Sequence, residues 1–261
     1  MDSETPKPVR DGDLLQTLTR GLAVIACFDH HSPRMTPTEV ARKTGLTRAT
    51  ARRILLTLAH TGHARTDGKM FELTARVLEL GYAYLSSFGL PEVSRPAMEE
   101  VTRELGESCS MAVLDRAEIV YIARVQAHRI MEQMLEVGFR LPAHATALGQ
   151  VLLAALPDDE LIELLDTHPL FALTEHTITD REAFLNRIEQ VRLQGYAMVD
   201  EELERGVRSI AVPIRDRRNQ VMAALNVGAH VGRVSAEEMT GKVLVALRRA
   251  ANEIERPIGH L

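Results

Sequence analysis

The stretch TPTEVARKTGLTRATARRILLTLAHTGHARTDGKMFEL, residues 36–73, decides the fold of the first part of this chain. Thr36-Pro37-Thr38-Glu39 combines an N-cap threonine, a proline at the first helical position and a glutamate placed to reach back to the cap, so a helix starts here. Gly45 stops it early, because glycine takes the left-handed backbone that closes a helix. Thr47 opens a further helix, predicted to run to about Thr61 with Gly62 as its stop. Two helices joined by a tight turn containing glycine have the organisation of a helix-turn-helix. Ala51, Ile54, Leu55 and Leu58 recur at helical steps and define the inward face, which leaves Thr47, Arg48, Ala49, Thr50, Arg52 and Arg53 around the other side. Guanidinium groups near the start of such a helix pair bidentately with guanine edges or with phosphates in a major groove. On a plain three-helix bundle the same face would only be solvated. The next element separates the two readings: Ala64–Thr66 and Met70–Leu73 alternate in character around Asp67-Gly68, which predicts a hairpin with a tight turn, a wing. Lys69 sits at its tip, where it would meet phosphate. The candidate DNA contacts are therefore Thr36, Thr47, Arg48, Ala49, Thr50, Arg52, Arg53 and Lys69.

Outward from this stretch, Leu14, Leu15, Leu18, Leu22, Ile25 and Ala26 recur at three- and four-residue steps and predict an amphipathic helix ahead of the loop at 29–33. Residues 1–12, with two prolines and alternating charge, read as disordered and lack the apolar core of a signal peptide. No apolar run approaches the roughly 20 residues that cross a bilayer, so a cytoplasmic protein without a membrane partner is expected. Two cysteines in 261 residues make no disulfide framework, and the ten histidines are too dispersed to predict a metal site. Tryptophan is absent and aromatics are 4%, which argues against a single-strand binder that stacks bases. Charge is divided unevenly: residues 1–87 carry 12 Lys and Arg against 9 Asp and Glu, whereas residues 88–261 carry 19 against 27. A basic reader joined to an acidic remainder fits that division.

Beyond Pro91 a helix is expected to about Leu105, then strands at 110–114, 119–125 and 130–135. Helices follow at 147–156, at 158–165 and, from a capping box at Thr179-Asp180-Arg181-Glu182, to Gln194. Strands return at 196–199, 207–213 and 221–227, before Ser235-Ala236-Glu237-Glu238 caps a last helix to about Arg256. Strands with segregated helices make an α+β sheet domain. It contains no phosphate-cradling glycine loop, no zinc-binding His-Glu motif and no nucleophile elbow, so no cofactor, no metal and no catalytic residue is expected. One segment has chemistry of its own. Pro142-Ala143-His144-Ala145-Thr146-Ala147-Leu148-Gly149-Gln150 leads from a strand into a helix start made of small residues, where free backbone N–H groups at a positive dipole end would hold a carboxylate. The same small residues also permit close packing of helix on sheet, and composition does not decide between the two.

The runs LTRGLAVIACF, TPTEVARKTGLTRATARRILLTLAHTGHA and FELTARVLELGYAYL resemble the winged helix-turn-helix of the IclR family of bacterial regulators, and the resemblance extends through most of the chain. It implies a DNA-binding winged helix-turn-helix over 13–74, a linker helix over 75–90 and a GAF-like α+β effector-binding domain over 91–261. It further implies that amides at Ala147 and Leu148 grip the acid group of an effector, with His144, Ser209, Asn226 and Gly228 as further pocket positions. Val199 stands where some relatives have aspartate and Gly228 where they have serine, which implies a roomier, less polar pocket. VYIARVQAHRIM followed by VGFRLPAHATALGQVLLA is similar to the branch that controls aromatic-acid catabolism through the β-ketoadipate route. The implied effector is protocatechuate- or hydroxybenzoate-like, although Arg124, Arg129 and His144 serve equally well as structural groups. The implied partners are double-stranded operator DNA, a second copy in a homodimer or dimer of dimers and, for an activator, RNA polymerase. From residues alone, an α+β enzyme on a small carboxylic acid and a protein-binding winged module remain open.

Overall fold

The structure is a computed structural model in which residues 14–29, 31–81, 89–127 and 136–258 are described. The disordered stretch expected at 1–12, the strand expected at 130–135, Arg129 and most of the second half of the expected linker lie outside them. The chain divides into two compact units, residues 1–87 and 88–261.

The first unit holds α1 (Gln16–Ala26), β1 (Arg34–Met35), α2 (Pro37–Thr44), α3 (Arg48–His60), β2 (Ala64–Thr66) and β3 (Phe71–Leu73). The capping box at α2 is formed: the Thr36 hydroxyl accepts from the Glu39 amide at 3.3 Å while Glu39 accepts from the Thr36 amide at 2.7 Å. Gly45 ends α2 at φ 70°, and the Thr47 hydroxyl accepts from the Thr50 amide at 3.2 Å to open α3. Each such cap stabilises its helix by about 1 kcal/mol. Val24, Met35, Val40, Ala51, Ile54, Leu55 and Phe71 close a small core, with Leu58 packed partly against it. Full burial of a side chain of the size of Leu55 contributes about 1.5–3 kcal/mol.

Two details depart from expectation. The α1 helix forms, but only Val24 of it is buried, and Leu15, Leu18 and Leu22 stand exposed. The periodicity is that of an apolar face, and among the described residues nothing covers it. The wing is also longer at its tip. Thr66 pairs with Phe71, so the loop is the four residues 67–70 rather than a two-residue turn. Asp67 explains this: its carboxylate accepts from the Lys69 amide at 3.0 Å and the Met70 amide at 2.7 Å, holding a wider turn in which Gly68 alone takes a positive φ, 96°. β1 pairs with β3, giving a three-stranded sheet of order β1-β3-β2. A short 3-10 turn, Ala75–Val77, follows, and residues 78–81 are helical.

The second unit is built on an antiparallel sheet of order β6-β5-β4-β9-β8-β7: β4 (Ser108–Asp115), β5 (Glu118–Val125), β6 (Arg140–Pro142), β7 (Ala197–Asp200), β8 (Val207–Arg215) and β9 (Val221–His230). Alternation along the strands separates its faces. α4 (Leu90–Leu105) and α8 (Leu244–Ile258) cover one face. Ala112, Ile119, Tyr121, Ala197, Ala211 and Ala224 point to the other, where they form a core with α5 (Ala147–Ala154), α6 (Asp158–Thr167) and α7 (Arg181–Gln194). The box expected at 179–182 is replaced by a simple cap: the Asp180 carboxylate accepts from the Ala183 amide at 2.8 Å, so Glu182 falls one place short of the position that reaches back. The box at Ser235 and Glu238 is formed, although a π turn at Met239–Val243 intervenes before α8. β6 is the strand that leads into the α5 start. It is an edge strand held by Arg140, which donates to Glu118 at 2.7 Å and Asp115 at 2.5 Å.

The start of α5 is the tightest seat in this unit. A Cβ on Gly149 would overlap the carbonyl and Cα of Ala143 in the preceding 3-10 turn, Ala143–Ala145. Relief requires the whole helix start to move, and overpacking of this kind costs about 1–3 kcal/mol. Gly149→Ala is therefore expected to lower the unfolding free energy from urea titration by an amount in that range, whereas Gly241→Ala, which faces open space, is expected not to.

Candidate functional site

In the first unit, α3 presents Thr47, Arg48, Ala49, Arg52 and Arg53 as an exposed face, with Thr50 half-buried and bonded to the Thr47 hydroxyl at 2.9 Å. Among the described residues none of the three arginines has a side-chain hydrogen bond or ion pair, so three full charges are left to an outside partner. The wing behaves differently. Arg34 pairs with Asp67 at 2.8 Å and Glu72 at 3.3 Å, and Arg65 also bonds Glu72, which cancels the wing's own carboxylates. Lys69 remains exposed at the tip, with no ion pair among the described residues. Thr36 is different again: its hydroxyl is committed to Glu39, donating to the carboxylate at 2.8 Å. An arginine-bearing helix followed by a basic-tipped hairpin can seat in a DNA major groove with the hairpin on the backbone.

The second unit contains a cavity of about 550 Å³ between the sheet and the start of α5. Strand register builds its floor. Arg124, Ser110 and Asn226 lie opposite one another across β5, β4 and β9, and Ser108, Gly228, Ser209 and Val199 lie in the neighbouring row across β4, β9, β8 and β7. Tyr121, Phe139, Leu141, Leu148 and Leu203 supply apolar walls, and burial pushes the Tyr121 phenol up to about 12, so it stays protonated. The Arg124 guanidinium donates to the Ser110 hydroxyl at 3.1 Å. Asn226 is 8% exposed, and its side-chain Oδ1 is buried with no hydrogen-bond partner among the described residues. A concave apolar site with a few convergent polar groups is the usual form of a small-molecule pocket.

The structure brings together four of the six expected pocket residues: Leu148, Ser209, Asn226 and Gly228 all line the cavity. His144 and Ala147 are not among its lining. The His144 ring turns towards Phe171, whose carbonyl accepts from Nε2 at 2.9 Å, and it packs edge-on against the Phe171 and Phe184 rings. Burial lowers its pKa, so this imidazole is neutral. Ala147 is wholly buried. Thr146 caps α5, its hydroxyl accepting from Gly149 N at 3.0 Å, while the amides of Ala147 and Leu148 carry no hydrogen bond among the described residues. Behind them the fully buried Gln150 donates to the His144 carbonyl at 3.0 Å and to Glu202 at 3.1 Å, and Arg187 donates to Glu202 at 3.2 Å. Glu202 has its pKa raised by desolvation, against the pull of Arg187. This polar cluster fixes the helix start from below and anchors the loop that carries Leu203 into the cavity.

Ser108, Ser110 and Tyr121 were not singled out in the sequence, yet the two serines lie on the cavity floor and Tyr121 forms part of its wall. The available signal was phase: in Ser108-Cys109-Ser110-Met111 the serines alternate with residues buried on the opposite face, so two hydroxyls occupy inward positions of a strand buried on both sides. Among the described residues no group of His, Cys, Asp or Glu is arranged to hold a metal, and no helix is long and apolar enough to cross a membrane.

Comparison with known proteins fits both units. Residues 17–68 match the IclR helix-turn-helix domain, and residues 82–256 match the bacterial transcriptional regulator IclR C-terminal domain. The chain is 43% identical over 245 residues to the Pca regulon regulatory protein of Pseudomonas putida, covering 94% of this chain and 84% of that one. It is 37% identical to the p-hydroxybenzoate hydroxylase transcriptional activator of Acinetobacter baylyi, with 94% and 93% covered. An IclR homolog from Microbacterium hydrocarbonoxydans, crystallised in complex with 4-hydroxybenzoate, superposes with a TM-score of 0.83 at 28% identity, covering 94% of this chain and all of that one. With a basic α3 face in one unit, a cavity in the other and family matches over both, the chain belongs to the IclR family and is a DNA-binding transcriptional regulator rather than an enzyme.

Proposed function

We propose that this regulator binds operator DNA through α3 and the wing and is controlled by a small aromatic acid, protocatechuate- or hydroxybenzoate-like, held in the cavity of the second unit. The observation that carries this reading is the cavity itself. Its volume of about 550 Å³ suits a single-ring acid, and it places Leu148, at the amide-bearing start of α5, opposite a polar floor of Ser110, Ser209 and Asn226. The carboxylate sits at the free amides of Ala147 and Leu148, where the helix dipole favours an anion. The ring lies among Tyr121, Phe139, Leu141 and Leu203. Gly228 leaves the floor open where a side chain would intrude. His144 serves from behind, holding the turn that presents the amides. Two relatives point to the same ligand class: one is named for activating p-hydroxybenzoate hydroxylase transcription and one was crystallised with 4-hydroxybenzoate.

On the DNA side, Arg48, Arg52 and Arg53 reach base edges and phosphates, Thr47, Ala49 and Thr50 let the helix approach closely, and Lys69 contacts the backbone. Thr36 contributes through its cap, by fixing the α2 start. The active form is a homodimer or dimer of dimers in the cytoplasm, with the linker at 75–90 transmitting effector state, and RNA polymerase is a further partner where the protein activates. The exposed Leu15, Leu18 and Leu22, 76%, 61% and 54% accessible, form an apolar stripe on α1 that a second copy would cover.

Three measurements test this. Arg48→Ala and Arg52→Ala are each expected to weaken binding to the promoter region by about 1–3 kcal/mol or, where the contact is to phosphate, to reduce the salt slope by about one. Wild-type affinity and slope in both would remove α3 from the interface. Replacing Leu18 and Leu22 together by Glu is expected to shift sedimentation from dimer to monomer and to weaken operator binding with it. An unchanged mass would show that α1 is not the seam. For the effector, the melting temperature is expected to rise with protocatechuate or a hydroxybenzoate, corresponding to about 2.7 kcal/mol at a hundredfold excess over Kd, while the acid is recovered unaltered.

A further inference from the structure

We infer that Thr74 and Arg76 are positioning residues for operator recognition: from the root of the linker they clamp the C-terminal end of α3, so that the aim of the recognition helix is set from the end opposite its DNA-facing residues. The inference rests on α3 as the reading helix and adds what holds that helix in place. α3 closes on a glycine cap, in which the His63 amide donates to the Leu58 carbonyl at 2.8 Å and the Gly62 amide to the Ala59 carbonyl at 3.2 Å, with Gly62 at φ 81°. That cap does not serve the next carbonyls, those of Thr61, Gly62 and His63. Each is bonded instead from the far side of the wing. Arg76 Nη1 donates to the Thr61 carbonyl at 3.0 Å, the Thr74 hydroxyl to the Gly62 carbonyl at 2.5 Å, and the Thr74 amide to the His63 carbonyl at 3.0 Å.

The same two residues start the linker. The Thr74 hydroxyl accepts from the Arg76 amide at 3.3 Å and so caps the turn Ala75–Val77, and the Arg76 guanidinium pairs at 3.6 Å with Glu79 in the helical residues beyond it. A guanidinium at a helix C-terminus meets the negative end of the helix dipole, which favours this placement. α3 has 13 residues and is therefore about 20 Å long, so the clamp lies nearly a helix length from Arg48. Burial of Ala51, Ile54 and Leu55 sets the depth of the helix, and the clamp holds its far end. Bidentate base contacts demand one geometry, whereas attraction to phosphates carries no sequence information. Loosening the clamp therefore costs specific binding and leaves non-specific binding to the charges. The bonds also join the linker's first turn to α3, so that a displacement of the linker is delivered to the recognition helix.

The test is fluorescence anisotropy on the full-length protein with its promoter region and with a scrambled duplex of the same length, over a salt series. Wild type is compared with Thr74→Val, Arg76→Ala and Arg76→Lys, and with Arg48→Ala as the reference for a direct contact. Thr74→Val and Arg76→Ala are each expected to weaken promoter binding at least about fivefold, with the scrambled duplex changed less than about twofold and the salt slope kept. Thr74→Val alters no charge, so its effect is one of position. Arg76→Lys, which keeps a donor and the charge, is expected to recover part of the loss. Thermal melts report whether each variant folds. Amide exchange on wild type needs no variant: Thr74 is expected to be protected to within about tenfold of His63, because the clamp and the helix end open together. A Thr74 amide that exchanges about a hundredfold faster than His63 overturns the inference. So does a loss in Arg48→Ala with none in the folded clamp variants, which leaves α3 as the reader. An equal loss on both duplexes in Arg76→Ala, with the salt slope lowered by about one, makes Arg76 a phosphate contact and overturns it too. Wild-type binding in all of these variants, Arg48→Ala included, overturns the α3 reading itself.

Discussion

The seat of α5 on the strand-to-helix turn governs the second unit. Gly149 lies so close to the Ala143 backbone that no other residue fits without displacing the helix, and Thr146 caps the same turn. This contact sets how near the helix start comes to the sheet and so fixes the depth of the cavity. The buried Gln150, bonded to the His144 carbonyl and to Glu202, ties the same turn to the loop bearing Leu203. One close backbone approach thus positions a wall, a loop and a pair of free amides together. The small residues of 143–149 serve this packing, because only residues without bulk let a helix start come this near the sheet.

The first unit rests on a different economy. Its core is small, and its helices depend on caps at Thr36, Gly45 and Thr47 for their limits. Three arginines on α3 are left unpaired, while the wing's carboxylates are neutralised by Arg34 and Arg65. Positive charge is thereby concentrated on the helix and at the tip of the wing. Spending Arg34 and Arg65 on internal pairs leaves less basic surface but a wing of defined shape.

What was legible in the sequence was local. Caps at Thr36 and Ser235 and the inward face of α3 follow from contacts within a few residues, and the structure repeats them. The wing tip was misread because Asp67-Gly68 suggests a two-residue turn, whereas the Asp67 carboxylate captures two amides beyond it and widens the loop. At α7 the acidic residue that caps is Asp180 rather than the threonine before it, a choice between neighbours that spacing cannot make. The leucines of α1 were read correctly as a helix face, but periodicity does not say what covers a face. The cavity floor was the least legible part. Ser110, Asn226 and Ser209 become neighbours only through the register of three strands, and the two that were anticipated came from family likeness.

The order of the sheet has a consequence for when the protein becomes a sensor. β4 begins the sheet in chain order and β9 ends it, yet the two are hydrogen-bonded side by side at its centre, with Ser110 opposite Asn226. Half of the cavity floor is therefore made early in synthesis and the other half last. Pairing over such a distance is slow, and it cannot start until the C-terminal strand has left the ribosome. A nascent or truncated chain lacks β9 and therefore has no complete cavity floor.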